Sequence, residues 1–300
     1  GAIIDGGGAG SVLTIEAFST VSVSGLTLQN GASETNGGGI LVDGGLLSAD
    51  DVVIAGNTAE SYGGGIYVDD GGVATLIDCA IMDNSADRGG GGFTDNGSAL
   101  ALDTCVVDGN EASTWGGGLE VNQTAELSVL ASTISDNTAD AYGGGIECNA
   151  NGLITITDSD IVDNIAASAN GGGIDLYSCD VAIEDSLLDG NSAGDGGGGV
   201  YADSSSVVIA DGLELAANPA TDGGGLNASG ELNISNSDIY GNVALSEGGG
   251  FYVDYDSSPM SFSAVDFSAN TPSDVYSADN STATSWGLGA SFSCDGNGCF

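Results

Sequence analysis

One period governs this chain. A glycine triplet followed by an apolar residue closes at Ile40, Ile66, Phe93, Leu119, Ile146, Ile174, Val200, Leu226 and Phe251, at spacings of 25 to 28 residues. Interleaved with it, Asn57, Asn84, Asn110, Asn137, Asn164, Asn191, Asn218, Asn242 and Asn270 recur at close to 27 residues, each with an apolar residue three places earlier. Asn30 extends this series but has Thr27 at that place. A period of this size marks a stacked repeat, in which each unit buries its apolar face only against its neighbours. Between the anchors apolar residues alternate as in short strands, for example Ile154, Ile156 and then Ile161, and no window carries a capped helical period. Helical solenoids are excluded. The expected fold is all-β: a parallel β-helix of about ten coils, about 27 residues and three short strands per coil, forming a rod roughly 50 Å long.

The anchors have physical reasons. Glycine supplies the positive φ and missing Cβ of a tight corner, while asparagine tolerates the left-handed conformation and its amide can bond an identical amide one coil away. The nine asparagines from Asn57 to Asn270 are expected to form a structural ladder. The repeat covers residues 1–270. In 271–300 both anchors lapse, so that segment is expected to be a cap or docking surface.

The GGG[ILVF] and [ILVF]xxN anchors resemble the GGAI and FxxN repeats of chlamydial polymorphic outer-membrane proteins and related bacterial right-handed β-helix repeat proteins. Phe267-Ser-Ala-Asn270 matches FxxN literally. The resemblance implies a right-handed helix serving as a secreted passenger or surface domain, often adhesive. Residues 1–300 are not expected to include the transmembrane barrel of that group.

Charge narrows the function. Forty-three acidic side chains face one basic one, Arg88, with no histidine, for a net charge of −42. Such a chain does not hold a phosphate backbone or an anionic membrane. It also lacks the histidine and lysine of most hydrolytic, Schiff-base and zinc chemistry. No apolar run is long enough to span a membrane. A start on glycine reads as a mature or excised product.

Equivalent positions of successive coils stack, so chemistry is sought down columns. Asp43 and Asp69, helped by Asp70, are expected about 5 Å apart, as are Asp51 with Asp78 and Asp158 with Asp185. They either hold Ca²⁺ or cap corners as Asx-turns. Tyr62, Arg88, Trp115 and Tyr142 precede four successive glycine triplets. If they face outward, they form a flat strip with cation–π contact, suited to sugar rings or a neighbouring subunit, or else a purely structural aromatic ladder. Six cysteines permit local staples at Cys79–Cys105, Cys148–Cys179 and Cys294–Cys299, consistent with an oxidising compartment, although Cys79 and Cys105 equally suit buried thiols.

A non-enzymatic, secreted structural protein at the cell surface is therefore expected, its rods stacking head to tail with other copies into a filament. The alternative is an adhesin binding glycans or Ca²⁺. A two-carboxylate carbohydrate-active enzyme ranks below both, because stacking alone places acids at the retaining distance. Acidity suited to a saline habitat is a further alternative.

Overall fold

A computed structural model describes residues 1–253 and 259–277, and every strand pairing among them is parallel. The described chain contains no helix. Each coil contributes to three faces. In the coil beginning at Ile146 the first strand is Ile146–Asn149, on an eleven-stranded sheet. Leu153–Thr157 and Asp160–Val162 follow as two arms of a nineteen-stranded sheet. Ile165–Ala166 lies on a seven-stranded sheet. A loop then leads to the next glycine triplet. Side chains that alternate inward, here Ile146, Cys148, Ile154, Ile156 and Ile161, are fully buried, and their equivalents in other coils form one continuous core. Each buried isoleucine or leucine contributes about 2–3 kcal/mol.

Two backbone corners repeat. The first lies between the arms of the large sheet, where Asp51, Asp78, Thr104, Ala131, Asp158, Asp185 and Asn236 all take φ between 46° and 55°. Left-handed backbone at a solvent-facing corner favours Asp and Asn, which explains where part of the negative charge resides. The second lies one residue before each ladder asparagine, for example Asp136 at φ 52° and Asp163 at φ 55°.

The asparagine ladder forms as expected. Each Nδ2, from Asn57 to Asn242, donates to Oδ1 of the next asparagine, as in Asn110 to Asn137 and Asn137 to Asn164 at 2.9 Å each. It also donates to a carbonyl of the preceding coil, Val107 in the case of Asn137. Each ladder backbone N–H up to Asn242 also donates to the next Oδ1. Every amide in the interior of the ladder is thus satisfied inside an otherwise apolar core, as burial requires. Asn30 stands outside it: Gln29 registers with Ala55, so Gly31 takes the ladder position and donates its N–H to Asn57.

The repeat reaches beyond residue 270, since Val275–Ser277 pairs with Phe251–Val253 as the last described strand of the eleven-stranded sheet. Residues 278–300, with Cys294 and Cys299, lie outside the described residues.

Candidate functional site

The candidate site lies on the outer face of the eleven-stranded sheet. One position after each inward-facing anchor runs an outward column: Leu41, Tyr67, Phe93, Glu120, Glu147, Asp175, Tyr201, Asn227, Tyr252 and Tyr276. Phe93 belongs here because the glycine run 89–92 has four members, so Gly92 pairs with Ile66 and Leu119 in the anchor column. The sequence-level reading of Phe93 as an anchor is off by one residue. Asp95, directly after the Thr94–Val68 pair, accordingly follows Asp43 and Asp69 in their column.

From Tyr67 to Asp175 this column is closed to solvent. The loop before each glycine triplet doubles back over it, turning on a first glycine with φ near +60°. A Cβ on Gly143 would lie 2.7 Å from that of Glu147, and one on Gly171 would lie 2.5 Å from that of Asp175. Glycine is required there by conformation and by space. The returning loops carry Tyr62, Arg88, Trp115 and Tyr142, which bridge one another in parallel register as the column reading expects. The expected flat exposed strip is instead a half-buried roof, of which only Tyr142 reaches the exposed range.

Arg88 occupies the middle of this roof. Its guanidinium closes on Glu120 through Nε, 3.1 Å from Oε2, and through Nη2 to Oε1. Its carbon lies 4.2 Å from the Trp115 ring centroid, 5.3 Å from Phe93 and 5.6 Å from Tyr62. The cation is thus framed by rings and neutralised by a buried acid. Burial nevertheless pushes the Glu120 carboxyl up to about 8 against the pull of Arg88.

The next two coils repeat the acid without the arginine. Glu147 and Asp175 are 2% and 3% exposed and adjacent in register. Glu147 Oε1 accepts a 2.7 Å bond from Asn149 Nδ2, while Glu147 Oε2 and Asp175 Oδ1 are buried and engage no group outside the Glu147–Asp175 pair. Burial raises both carboxyls, Glu147 well above its ordinary range with the Asp175 charge adding to the effect, and Asp175 to about 7. These acids floor a cleft of about 340 Å³ walled by Trp115, Tyr142, Tyr177 and Tyr201, with Asn170 and Asp203 at its rim. Rings, amides and carboxyls converging on one concavity make a ligand-binding lining.

The other expected sites fall elsewhere. Asp43 and Asp69 pair in register, and Asp70 sits at φ 52°. Asp69 is engaged by Tyr67 Oη, Asn96 Nδ2 and the Asp70 N–H, an Asx-type corner. Asp51, Asp78, Asp158 and Asp185 occupy the exposed left-handed corner. Among the described residues no three acidic or thiol groups gather as a metal site would need.

Cys148 and Cys179 form a buried disulfide, Cα–Cα 6.1 Å, tying Ile146–Asn149 on the eleven-stranded sheet to the turn that precedes Asp180–Glu184 in the next coil. The expected Cys79–Cys105 bridge is corrected: both are free, buried thiols. Their column continues as Ser132, Ser159 and Ser186, where each hydroxyl accepts the N–H of the preceding coil and donates to a carbonyl two residues back. Cys105 Sγ does the same, accepting from the Cys79 N–H at 3.4 Å and lying 3.3 Å from the Asp103 carbonyl. The thiols replace serine hydroxyls in a hydrogen-bonded column.

Glu120, Glu147 and Asp175 are not among the residues singled out from the sequence. Strand alternation places them outward, where an acid reads as solvated, and only the returning loop buries them. Their signal is the acid directly after the anchor in three successive repeats, Leu119-Glu120, Ile146-Glu147 and Ile174-Asp175.

A family model described as "Right handed beta helix region" matches residues 10–181 and 144–286. No curated protein and no solved structure matches the chain.

Proposed function

The chain belongs to the right-handed β-helix family, and we propose that it is a secreted, cell-surface rod that binds saccharides in the cleft between Trp115, Tyr142, Tyr177 and Tyr201. The observation that carries this is the cleft itself: aromatic walls over a buried pair of carboxyls, with amide groups at the edge. Sugar rings stack their C–H faces on aromatic rings while their hydroxyls donate to carboxylate and amide oxygens. The Cys148–Cys179 bridge fits an oxidising compartment, and surface display agrees with the resemblance to bacterial passenger repeats. No helix among the described residues is long and apolar enough to cross a membrane.

We read the site as binding and not catalytic. A β-elimination needs a strong base, and the chain's one Lys or Arg, Arg88, is committed to Glu120. The head-to-tail filament expected from the sequence would dock through residues 271–300, most of which lie outside the described residues, so the cleft supports saccharide binding more directly.

Glycan-array binding of the purified protein tests the reading. Trp115→Ala and Tyr177→Ala should each weaken retained glycans at least tenfold while the β-sheet circular dichroism is unchanged. Wild-type protein that retains no glycan sinks it.

A further inference from the structure

Glu120, Glu147 and Asp175 are one column, and the first shows what the column accepts. The residue facing Glu120 from the roof one coil earlier is Arg88, a cation held among rings. The corresponding roof residues over Glu147 and Asp175 are Trp115 and Tyr142, so the acids and rings persist where the cation does not. No other part of the chain can supply it, because Arg88 is its one Lys or Arg and it has no histidine. Apart from the Asn149 amide, Glu147 and Asp175 have only each other, two acids sharing one buried site with no opposing charge, and an external cation would neutralise it.

The surroundings say which kind of cation. A hard metal ion such as Ca²⁺ asks for six to eight oxygens. Here two carboxyls are available. Asp203 at the rim already uses Oδ1 for the N–H groups of Ser178 and Ser205 and for the Ser206 hydroxyl. The remaining walls are rings, which suit an organic ammonium. The cleft of about 340 Å³ is far larger than an ammonium group alone, so the charge should ride on a ring-sized body.

Resting on the saccharide reading above, we infer that this cleft selects sugars bearing a free amino group, the ammonium seated on the Glu147 and Asp175 carboxyls beneath Trp115 and Tyr142. The raised carboxyls support this: the empty pair retains a proton near neutral pH, and ammonium binding expels it. Affinity should therefore rise with pH until the amine itself deprotonates.

Isothermal titration calorimetry at pH 6.5 and 0.3 M salt tests it with three β-1,4 dimers, of glucosamine, N-acetylglucosamine and glucose. The glucosamine dimer should bind one per chain and at least tenfold tighter than the other two, with proton release seen as a buffer-dependent enthalpy. In the Glu147→Gln/Asp175→Asn variant, which replaces buried acids with neutral isosteres and leaves Arg88–Glu120 intact, this preference should fall within twofold. Equal binding of all three dimers by wild type would overturn the amino-sugar inference and leave saccharide binding standing. Failure of all three to bind removes both. A preference that survives in the double variant would assign it to the overall charge of the rod and overturn the inference.

Discussion

The Arg88 guanidinium lies 4.2 Å from the centroid of the Trp115 ring while the same group closes on Glu120, so one side chain stacks an aromatic of the next coil and neutralises a buried acid. Glu120 is fully buried at its side chain and Arg88 nearly so. Removing one member of a buried pair leaves the other uncompensated, at about 3–5 kcal/mol. Arg88→Met should lower stability in urea by about 3 kcal/mol at pH 8. At pH 5 the loss should be smaller, because Glu120 can then take a proton. Adding Glu120→Gln to Arg88→Met should restore most of the stability at pH 8.

Stability should fall as pH rises above 5. Glu120 moves from 4.5 to about 8, Asp175 from 3.8 to about 7, and Glu147 well above 4.5, all chiefly through burial. Between the unfolded and folded values the folded chain holds protons that the unfolded chain has released, so stability is complete at low pH and is lost as pH climbs through about 7–8. Asp5 and Asp211, held below their ordinary range by Gln29 and Asn236, act in the opposite direction below pH 4 and are exposed. Unfolding free energies from urea titrations at pH 5 and 8 should differ by on the order of 3–5 kcal/mol, and Glu147→Gln with Asp175→Asn should flatten the profile.

Asn137→Ala should be among the most damaging single changes. It removes the Nδ2 bonds to Val107 O and Asn164 Oδ1, and it strips the acceptor from both the N–H and Nδ2 of Asn110. Buried groups left unpaired cost about 1–3 kcal/mol each, so a loss of about 3–5 kcal/mol is expected. Asn57→Ala should cost less, because the coil before it sends only the Gly31 N–H to Oδ1. Thermal melts of the two variants side by side measure the difference.

Among the described residues, reduction should act through one pair. Cys148 and Cys179 close a loop of sequence separation 31, for which chain entropy gives about 4 kcal/mol. Dithiothreitol should lower the melting temperature of wild type and of Cys79→Ser alike, and should have no such effect through this bridge in Cys148→Ser/Cys179→Ser. Peptide mapping of alkylated protein should find Cys79 and Cys105 modified only after unfolding.

What the sequence discloses is what each coil must repeat. The asparagine ladder, the glycine corners and the Tyr62–Arg88–Trp115–Tyr142 column are legible because stacking forces identical needs at identical phase. What escapes reading is set by departures from phase or by a third layer. A fourth glycine, Gly92, shifts Phe93 out of the core column, and Asn30 sits one residue early. The acids of the cleft look solvent-facing until loops that pivot on Gly116, Gly143 and Gly171 cover them. Cys79 and Cys105 meet the spacing of a bridge, yet the serines stacked below them identify the column as a hydrogen-bond ladder.

The same ladder makes the molecule countable. Its amide-to-amide bonds all run one way, each Nδ2 giving to the Oδ1 of the coil that follows, and Asn270 gives to the Asp274 carboxylate. A whole coil could be inserted or deleted between two asparagines and the line of amides would close again, whereas adding a single residue to that column would break it. Length in such a protein is free to vary by inheritance in whole turns, with phase as the conserved quantity, and the cleft built at three consecutive turns could be copied, erased or moved along the rod by the same step.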